Sequence, residues 1–558
     1  MPKKYPEYQQ LNLPQISEEV LNIWKQENTF QESINIRKDN KPFVFYEGPP
    51  SANGMPGIHH MMARTIKDIF CRYKTQKGFL VNRKAGWDTH GLPVELSVEK
   101  ELGITKEDIG KKISVEEYNK KCQEAVMKYT DVWNDLTEKM GYWVDMDSPY
   151  ITYHNKYIET VWWLLGQLYQ KGLIYKGYTI QPFSPAAGTG LSTHELNQPG
   201  TYRDVKDTTV TAQFKAEKEG TLLQDFDGDI FFIAWTTTPW TLPSNTALAV
   251  GPKIKYSLVK TVNAYTFEPI TVVLASDLIN KHFSEKAKEI KFEDYKPGDK
   301  LIPFEVLSEY TGQELEGIKY QQLLPYKQPE DGDAFRVIPG DYVSTEDGTG
   351  IVHIAPSFGA DDARVAKAAG IGSLTLVNHQ GKFTEEMGEF ANKFVKNEYY
   401  DDGQAPDKSV DVEIAIKLKE ENKAFKVEKY VHSYPHCWRT DKPVLHYPLD
   451  SWFVKTTALK DRLIELNKTI NWKPESTGTG RFGNWLENLQ DWNLSRSRYW
   501  GIPIPIWTTE DKEEQICISS IEQLKAECDK AVAAGVMESN PFAKYEVGNM
   551  DDENYKSF

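Results

Sequence analysis

The fold of this chain is decided by residues 41–75, which read KPFVFY at 41–46, EGPPSANGMPG at 47–57 and IHHMMARTIKDIFCRYKT at 58–75. The first segment is a compact strand pattern, the second is a turn-rich loop, and a helix is predicted from about His59 to Thr75. Apolar residues recur in this helix at the spacing of one buried face, namely Met62, Ile66, Ile69, Phe70 and Tyr73. A strand, a Gly/Pro loop and a helix in this order open a nucleotide-binding α/β unit. The sequence therefore predicts an α/β fold with a Rossmann-type domain.

The remainder of the chain divides into further segments. One helix is predicted at 17–28, with Ser17 as its N-cap. Another is predicted at 155–170, and Gly172 ends it. Between about 200 and 400 the sequence becomes rich in β-branched and aromatic residues, so an inserted, mostly β domain is expected, with strands at 208–214, 230–235 and 270–275. The expected domains are an N-terminal extension at 1–40, the first half of the Rossmann-type domain at 41–195, the β-rich insertion at 196–400, a connecting region at 401–470 and the start of the second half at 471–558.

Bulk composition limits the function only loosely. A chain of 558 residues is too long for one ordinary domain. It has no apolar stretch long enough for a bilayer and no secretory signal, so no membrane association is expected. Its five cysteines stand singly, without a CxxC pair, which favours a reducing cytoplasm. The net charge of −15 argues against a general polyanion binder, although a local basic face is compatible with RNA.

The loop ends in Gly57-Ile58-His59-His60 at the start of the predicted helix. A helix N-terminus offers free N–H groups and a positive dipole end, both of which favour phosphate. Imidazoles placed there can donate hydrogen bonds to phosphoryl oxygens. A histidine pair is weak on its own, because one histidine that caps the helix beside an exposed neighbour would look the same.

Two further segments give this pattern a context. They are GWDTHGLPVE at 86–95 and DW at 491–492 followed by SRSRYWGIP at 495–503. Together with residues 43–60 they closely resemble class I aminoacyl-tRNA synthetases of the isoleucyl type, and the resemblance runs from Tyr46 to Trp507. It implies that ATP phosphates lie at the His60 end of the helix. It also implies that Asp88, beside Gly48 and Pro49, binds the isoleucine ammonium.

The chain departs from the family at one signature. The family normally reads His-x-Gly-His, whereas here Gly57 and His59 have exchanged places. His59 is expected to crowd the nucleotide unless its side chain turns away, and Gly57 is expected to provide room two residues earlier. We interpret the exchange as a working variant, with Gly57, His59 and His60 as the catalytic signature.

The insertion contains WTTTPWTLPSN at 235–245 and GTGIVHIAP at 348–356, followed by Asp361 and Asp362. Clustered threonines alone indicate no more than a strand. Both segments in this order resemble the family's editing motifs, which serve a second, hydrolytic site because a hydrophobic pocket separates isoleucine from valine poorly. The resemblance implies that Asp362 binds the ammonium of misattached valine and that Asp361 is a cap or surface residue. The other expected editing residues are Thr236, Thr237 and Thr238 for the adenosine and a water, Thr241 and Asn245 for the pocket shape, and His353 for rejection of isoleucine.

Metal and cofactor expectations follow from the same resemblance. Some relatives bind zinc through two cysteine pairs, and the matching positions here are Ser184, Ala187, Cys437 and Thr440. With one cysteine left, and only His432 and His436 nearby, zinc is not expected within this chain, and any zinc site of the family would then belong to its C-terminal region. ATP is expected with Mg²⁺ that has no dedicated protein site.

The resemblance thus implies the N-terminal part of a monomeric, cytoplasmic isoleucine–tRNA ligase with hydrolytic editing. Its partners would be ATP, isoleucine and the tRNA for isoleucine. The family's Lys-Met-Ser-Lys-Ser loop and its anticodon-binding domain do not occur in these residues, so the chain alone is expected not to charge tRNA efficiently. Two alternatives remain open, namely a freestanding hydrolase of mischarged tRNA and a non-catalytic binding paralogue.

Overall fold

The computed structural model describes residue 8 and residues 10–546. The parts of the predicted first and last segments at 1–7, 9 and 547–558 lie outside the described residues. The chain forms two compact units. The first, which we call the split unit, contains the described residues up to Ile174 and those from Arg498 onward. The second, the inserted unit, is Tyr175–Ser497.

The elements of the described residues are as follows, in chain order. The helices are α1 (Leu13–Gln26), α2 (Thr29–Asn35), α3 (Ile58–Gln76), α4 (Leu92–Leu102), α5 (Val115–Val126), α6 (Thr130–Lys139), α7 (Asn155–Gln170), α8 (Thr193–Leu196), α9 (Ile279–His282), α10 (Gly312–Leu315), α11 (Ala360–Ala368), α12 (Val410–Glu420), α13 (Lys460–Asn467), α14 (Phe482–Glu487) and α15 (Ile521–Ala533). The strands are β1 (Lys84–Trp87), β2 (Asp145–Ile151), β3 (Ile174–Ser184), β4 (Thr189–Gly190), β5 (Tyr202–Lys215), β6 (Ile230–Thr236), β7 (Ala247–Val250), β8 (Lys255–Val262), β9 (Pro269–Ala275), β10 (Glu305–Thr311), β11 (Arg336–Pro339), β12 (Ile351–Ile354), β13 (Ala424–Pro435), β14 (Leu445–Val454), β15 (Trp492–Asn493), β16 (Ile506–Thr508) and β17 (Gln515–Cys517).

The split unit places helices around a parallel pair of strands, β1 and β2. Its two chain segments share a core, in which Trp162 of α7 packs with Ile518 and Ile521. Helix α7 has the predicted bounds and ends as predicted before Gly172, which adopts a φ of +67°. The first helix was predicted to begin near Ser17, which is wrong. It begins at Leu13, because the Asn12 side chain accepts a hydrogen bond from the Gln15 N–H at 3.3 Å and caps it there.

Helix α3 has almost the predicted bounds, but the prediction that its apolar face is buried is wrong. That face is between 52 and 62% exposed at each of its members, Met62, Ile66, Ile69, Phe70 and Tyr73. The helix is instead anchored from its other side, where Arg64 and Cys71 are buried. Periodicity identifies residues that share a face, but it does not show that another element covers that face.

The predicted strand at 41–46 is also wrong. Within it only Pro42 forms a β-bridge, with Leu80, and the chain continues as an extended loop toward α3. Val44 and Tyr46 are 68 and 89% exposed. A strand is stabilised by hydrogen bonds along a neighbouring strand, and this segment has only the bridge at one end.

The inserted unit is built on a six-stranded sheet in the order β10-β8-β9-β6-β5-β13. The strands predicted at 208–214, 230–235 and 270–275 correspond to β5, β6 and β9. Strand β6 is buried on both faces, since Phe232 and Ala234 join one hydrophobic cluster while Phe231 and Ile233 join another. This is why its sequence is a continuous apolar run without alternation.

Two smaller sheets complete the inserted unit. The first has the order β11-β7-β12, with β7 parallel to β11 and antiparallel to β12. The second has the order β15-β14-β3-β4. The large sheet takes β13 from beyond the range 196–400, and that predicted domain range, like the others, stays a prediction. In the part of the chain that the structure describes, no helix has the length and apolar character needed to cross a bilayer.

Candidate functional site

The exchanged signature forms the start of α3. Gly57 is the N-cap residue in an extended conformation, and its N–H donates to His60 Nδ1 at 2.9 Å. The two imidazole rings lie 3.8 Å apart between centroids. A Cβ on residue 57 would lie 2.8 Å from His59 Cε1. The His59 ring therefore lies over Gly57, and a larger residue at position 57 would require this ring to shift.

His60 is held more firmly than its neighbour. Its ring packs edge-on against Trp133 at 4.8 Å between centroids, whereas His59 is exposed. Burial, the adjacent His59 and then Arg64 lower the pKa of His60 below its ordinary value. A neutral imidazole whose Nδ1 accepts the Gly57 N–H carries its own proton on Nε2. That N–H is the group available to donate toward a phosphoryl oxygen at the helix N-terminus.

Asp88 follows β1 directly and is exposed on its loop. Its backbone N–H donates to the Pro50 carbonyl at 3.0 Å, which places it against the loop that contains Gly48 and Pro49. Although the residue as a whole is exposed, neighbouring protein atoms partly desolvate its carboxylate and raise its pKa, and a hydrogen bond from the His90 N–H opposes that effect. The structure thus brings Asp88 beside the two loop residues predicted with it.

The segment after Asp88 is fixed by a buried ionic clamp. Glu95 of α4 accepts hydrogen bonds from Arg498 Nε at 2.7 Å and from the N–H groups of Tyr499 and Trp500 at 3.0 Å each. Trp500 in turn donates from its indole to the Thr89 carbonyl at 2.6 Å. Both segments belong to the motifs of the resemblance, but this contact could not be predicted because Glu95 and Arg498 lie 403 positions apart.

A cavity of about 190 Å³ lies next to this loop in the split unit. Glu47, Pro50 and Trp87 line it, together with Arg64 of α3. These lining residues flank Gly48, Pro49 and Asp88 in the sequence without including them. The predicted isoleucine-binding residues therefore lie beside this cavity in the sequence and are not among its lining residues.

In the inserted unit, the threonine motif runs from the end of β6 into a 3₁₀ helix, Pro239–Ser244. Thr236 Oγ1 accepts the Thr238 N–H at 3.0 Å and lies 3.3 Å from Thr238 Oγ1. Thr237 lies between them and is partly buried. This hydroxyl-lined stretch turns the chain sharply after a strand that is buried except at Trp235.

The segments 235–245 and 348–356 meet at Thr241 and His353. Thr241 Oγ1 lies 2.8 Å from the Thr238 carbonyl and 3.1 Å from His353 Nε2. The single hydroxyl proton goes to the carbonyl, so the hydroxyl must accept from His353 Nε2–H. Burial lowers the pKa of His353 to about 4, so the ring is neutral, and among the described residues its Nδ1 has no hydrogen-bond partner. The site therefore contains one bare acceptor lone pair.

Asp362 lies in the first turn of α11 and is largely enclosed. Its Oδ2 accepts the Ala355 N–H at 2.9 Å, immediately after β12. A Cβ at position 359 would lie 2.7 Å from Asp362 Cγ, so Gly359 makes the room for this carboxylate. Burial raises the pKa of Asp362 to about 6. Asp361, by contrast, is exposed and pairs with Arg364 at 3.3 Å.

Asn245, which was predicted to shape the pocket, has its side-chain amide engaged in hydrogen bonds within the protein. It is fully buried, and its amide donates to the Ala247 carbonyl at 2.8 Å and, more weakly, to the Ile354 carbonyl at 3.4 Å. Its oxygen accepts from the Tyr320 hydroxyl at 2.7 Å. With these groups engaged, Asn245 ties the threonine turn to β7 and β12.

The positions compared with zinc ligands have other partners. Ser184 Oγ accepts the Ala187 N–H at 3.2 Å, and Cys437 is buried in a small apolar cluster. His432 Nε2 lies 3.2 Å from Asp207, and His436 Nδ1 lies 3.0 Å from the Tyr434 carbonyl. Over the described ranges there is no group of three or more His, Cys, Asp or Glu side chains that could hold a metal ion.

The family model for tRNA synthetases class I (I, L, M and V) matches residues 19–555. Because this match covers nearly the whole chain, this α/β protein belongs to the class I tRNA synthetases. The resemblance predicted from the motifs is thereby confirmed.

More specific similarity is to isoleucine–tRNA ligases. The chain is 62% identical to that of Bacteroides fragilis, over 100% of this chain and 51% of the relative. It is 64% identical to that of Cytophaga hutchinsonii, over 96% of this chain and 49% of the relative. The ligase of Clostridium novyi is 44% identical over 92% of this chain and 45% of the relative. The chain thus spans about half the length of the curated relatives it matches.

Proposed function

We propose that this chain provides part of the synthetic site and the editing site of an isoleucine–tRNA ligase. The complete protein would activate isoleucine with ATP to the adenylate, release pyrophosphate, transfer isoleucine to its tRNA and hydrolyse misattached valine. The observation that carries the proposal is the contact between Thr241 and His353, which joins two motifs that lie 112 residues apart. Identities of 60–64% to isoleucine–tRNA ligases support isoleucine as the amino acid that the complete protein activates.

In the synthetic half-site, the N-terminus of α3 would bind the ATP phosphates. His60 would donate from Nε2, and His59 would lie at the mouth with its ring over Gly57. Mg²⁺ would accompany the phosphates, because it usually binds through substrate phosphates and one or two carboxylates. The exposed Asp88 carboxylate would bind the isoleucine ammonium beside Gly48 and Pro49, since an unpaired ammonium is costly to desolvate.

In the editing site, Asp362 would bind the ammonium of valine esterified to tRNA. Thr236, Thr237 and Thr238 would bind the terminal adenosine and orient a water toward the ester carbonyl. The lone pair on His353 Nδ1 is enclosed by protein atoms, so His353 would act through the position and shape of its ring. Because His353 is neutral and rigidly bonded to Thr241, its ring would also form the wall that rejects isoleucine. A positioned water then attacks without a covalent enzyme intermediate.

Several further properties are part of the same proposal. The domain ranges 1–40, 41–195, 196–400, 401–470 and 471–558, a monomeric state and a cytoplasmic location are proposed from the family resemblance. Limited proteolysis with mass spectrometry would test the ranges, and sedimentation would test the monomer. Cleavage concentrated inside 196–400 would count against an inserted domain at those bounds.

The direct test is hydrolysis of valine from mischarged tRNA for isoleucine by this chain. Asp362→Ala is expected to abolish hydrolysis, while Asp361→Ala, a matched change at the exposed neighbour, is expected to leave it intact. Equal loss in both variants, or no hydrolysis by a folded chain, would overturn the editing assignment. Isoleucine-dependent ATP–pyrophosphate exchange by a protein of the relatives' full length would separate the ligase from a freestanding hydrolase, and lack of both activities would favour the non-catalytic paralogue.

A further inference from the structure

The turn formed by residues 236–244, the threonine turn, is capped by a side chain from a distant part of the sequence. The 3₁₀ helix Pro239–Ser244 has Thr238 at its N-cap position, but the Thr238 side chain makes no capping hydrogen bond. Instead, Asp411 Oδ1 accepts the backbone N–H of Trp240 at 2.9 Å. Asp411 lies in the first turn of α12 and is 4% exposed. A carboxylate 171 positions away in sequence thus satisfies the free donor of this turn.

The capping carboxylate belongs to a buried charge network. Lys396 Nζ lies 3.6 Å from Asp411 Oδ2 and 2.9 Å from Asp207 Oδ2. It also lies 4.8 Å from the ring centroid of Tyr434, and His432 Nε2 lies 3.2 Å from Asp207. Burial raises the pKa of Asp411 to about 6, although the ammonium opposes this. Above that pH the carboxylate is ionised, and the nearby cation offsets the cost of burying it.

The capped turn carries the residues that form the hydrolytic site. Trp240 immediately precedes Thr241, whose hydroxyl joins the Thr238 carbonyl to His353 Nε2. If the Trp240 N–H lost its acceptor, the turn would have to move to find another, since a buried free N–H is costly. The hydrogen bond between Thr241 Oγ1 and His353 Nε2 would then be lost or lengthened.

We propose that Asp411, paired with Lys396, is a positioning residue of the editing site that fixes the Thr241–His353 contact through the Trp240 backbone. The inference rests on the proposed editing function. Asp411 acts through the turn and does not touch the substrate. Its loss should therefore lower kcat while KM, governed by the Asp362 anchor, stays unchanged.

The test compares Asp411→Ala with Asp411→Asn, and with Glu420→Ala at an exposed position of the same helix as control. Asp411→Ala is expected to lower kcat for release of valine from mischarged tRNA roughly 10- to 100-fold, the effect of misplacing a reacting group by about 1 Å. Asp411→Asn keeps an oxygen acceptor for Trp240 and should restore most of kcat. Glu420→Ala should behave as the unmodified chain.

Hydrogen exchange followed by mass spectrometry tests the same contact without catalysis. Asp411→Ala should accelerate exchange at residues 236–245 and leave strand β8 protected, while Asp411→Asn should preserve both. Faster exchange at β8 as well, or a rise in KM equal to the fall in kcat, would show a general structural role and overturn the proposal. If the unmodified chain lacks hydrolysis, the editing function fails, yet the exchange pattern still decides whether Asp411 positions the turn.

Discussion

The buried clamp at Glu95 supports a quantitative prediction for Glu95→Gln. The carboxylate accepts three donors, from Arg498 Nε and from two backbone N–H groups. A glutamine oxygen can keep the two backbone bonds, but its NH₂ group then faces the guanidinium. Arg498 is itself buried, and its ion pair with Glu99 is retained in this variant.

Removal of one partner from a buried ion pair costs roughly 3–5 kcal/mol. Because Glu99 still pairs with Arg498, we expect the lower end, about 3 kcal/mol of unfolding free energy for the split unit. For a unit of this size, roughly 2–4 °C per kcal/mol applies, which gives a fall in Tm of roughly 6–12 °C.

The assay is thermal unfolding followed by far-ultraviolet circular dichroism and tryptophan fluorescence, the latter because the clamp immobilises Trp500. Glu101→Gln, an exposed change on the same helix, is the control and should leave Tm unchanged. If Glu95→Gln behaves like Glu101→Gln, the clamp contributes no net stability and the reasoning fails.

Three further outcomes are expected. With the pKa of Asp362 raised to about 6, the carboxylate that would bind an ammonium forms as pH rises through that value, so kcat/KM for editing should fall below about pH 6; a flat pH profile there would contradict this. Gly57→Ala should cost about 1 kcal/mol by crowding the His59 ring, and a second change, His59→Ala, should recover it in chemical denaturation. Ile66→Ser and Phe70→Ser should each change the free energy of unfolding of this chain by less than about 0.5 kcal/mol, because both side chains are exposed. A loss of stability in thermal unfolding as large as that of a core substitution would show that these side chains are buried.

Local patterns predicted the elements whose determinants are local. Helix α7 was bounded correctly because its periodicity is regular and Gly172 supplies the left-handed end. The start of α1 was missed because Ser17 was taken as the cap, whereas the Asn12 side chain makes the capping bond one turn earlier. The class I fold could be predicted because its motifs are long and ordered.

What the sequence could not provide depends on contacts between distant residues. Whether the apolar face of α3 is covered depends on which elements fold against it, and its periodicity is silent on that point. The Asp411–Trp240 bond was likewise invisible, because an aspartate in the first turn of α12 looks like an ordinary helix-start residue. The resemblance predicted Thr241 and His353 as residues of one site, but their contact and the unpartnered Nδ1 atom follow only from the geometry.

The division of the split unit between two chain segments has a consequence for biosynthesis. Glu95 and Arg498 are separated by 403 positions, and at roughly 5–20 residues per second the ribosome needs roughly 20–80 s to make the intervening polypeptide. During that interval the whole of the inserted unit emerges as one continuous segment and can fold. Until then Glu95 lacks its partner Arg498, and Trp162 lacks its packing partners Ile518 and Ile521. Vectorial synthesis thus completes the inserted unit first, and the nascent split unit depends longest on protection from misfolding.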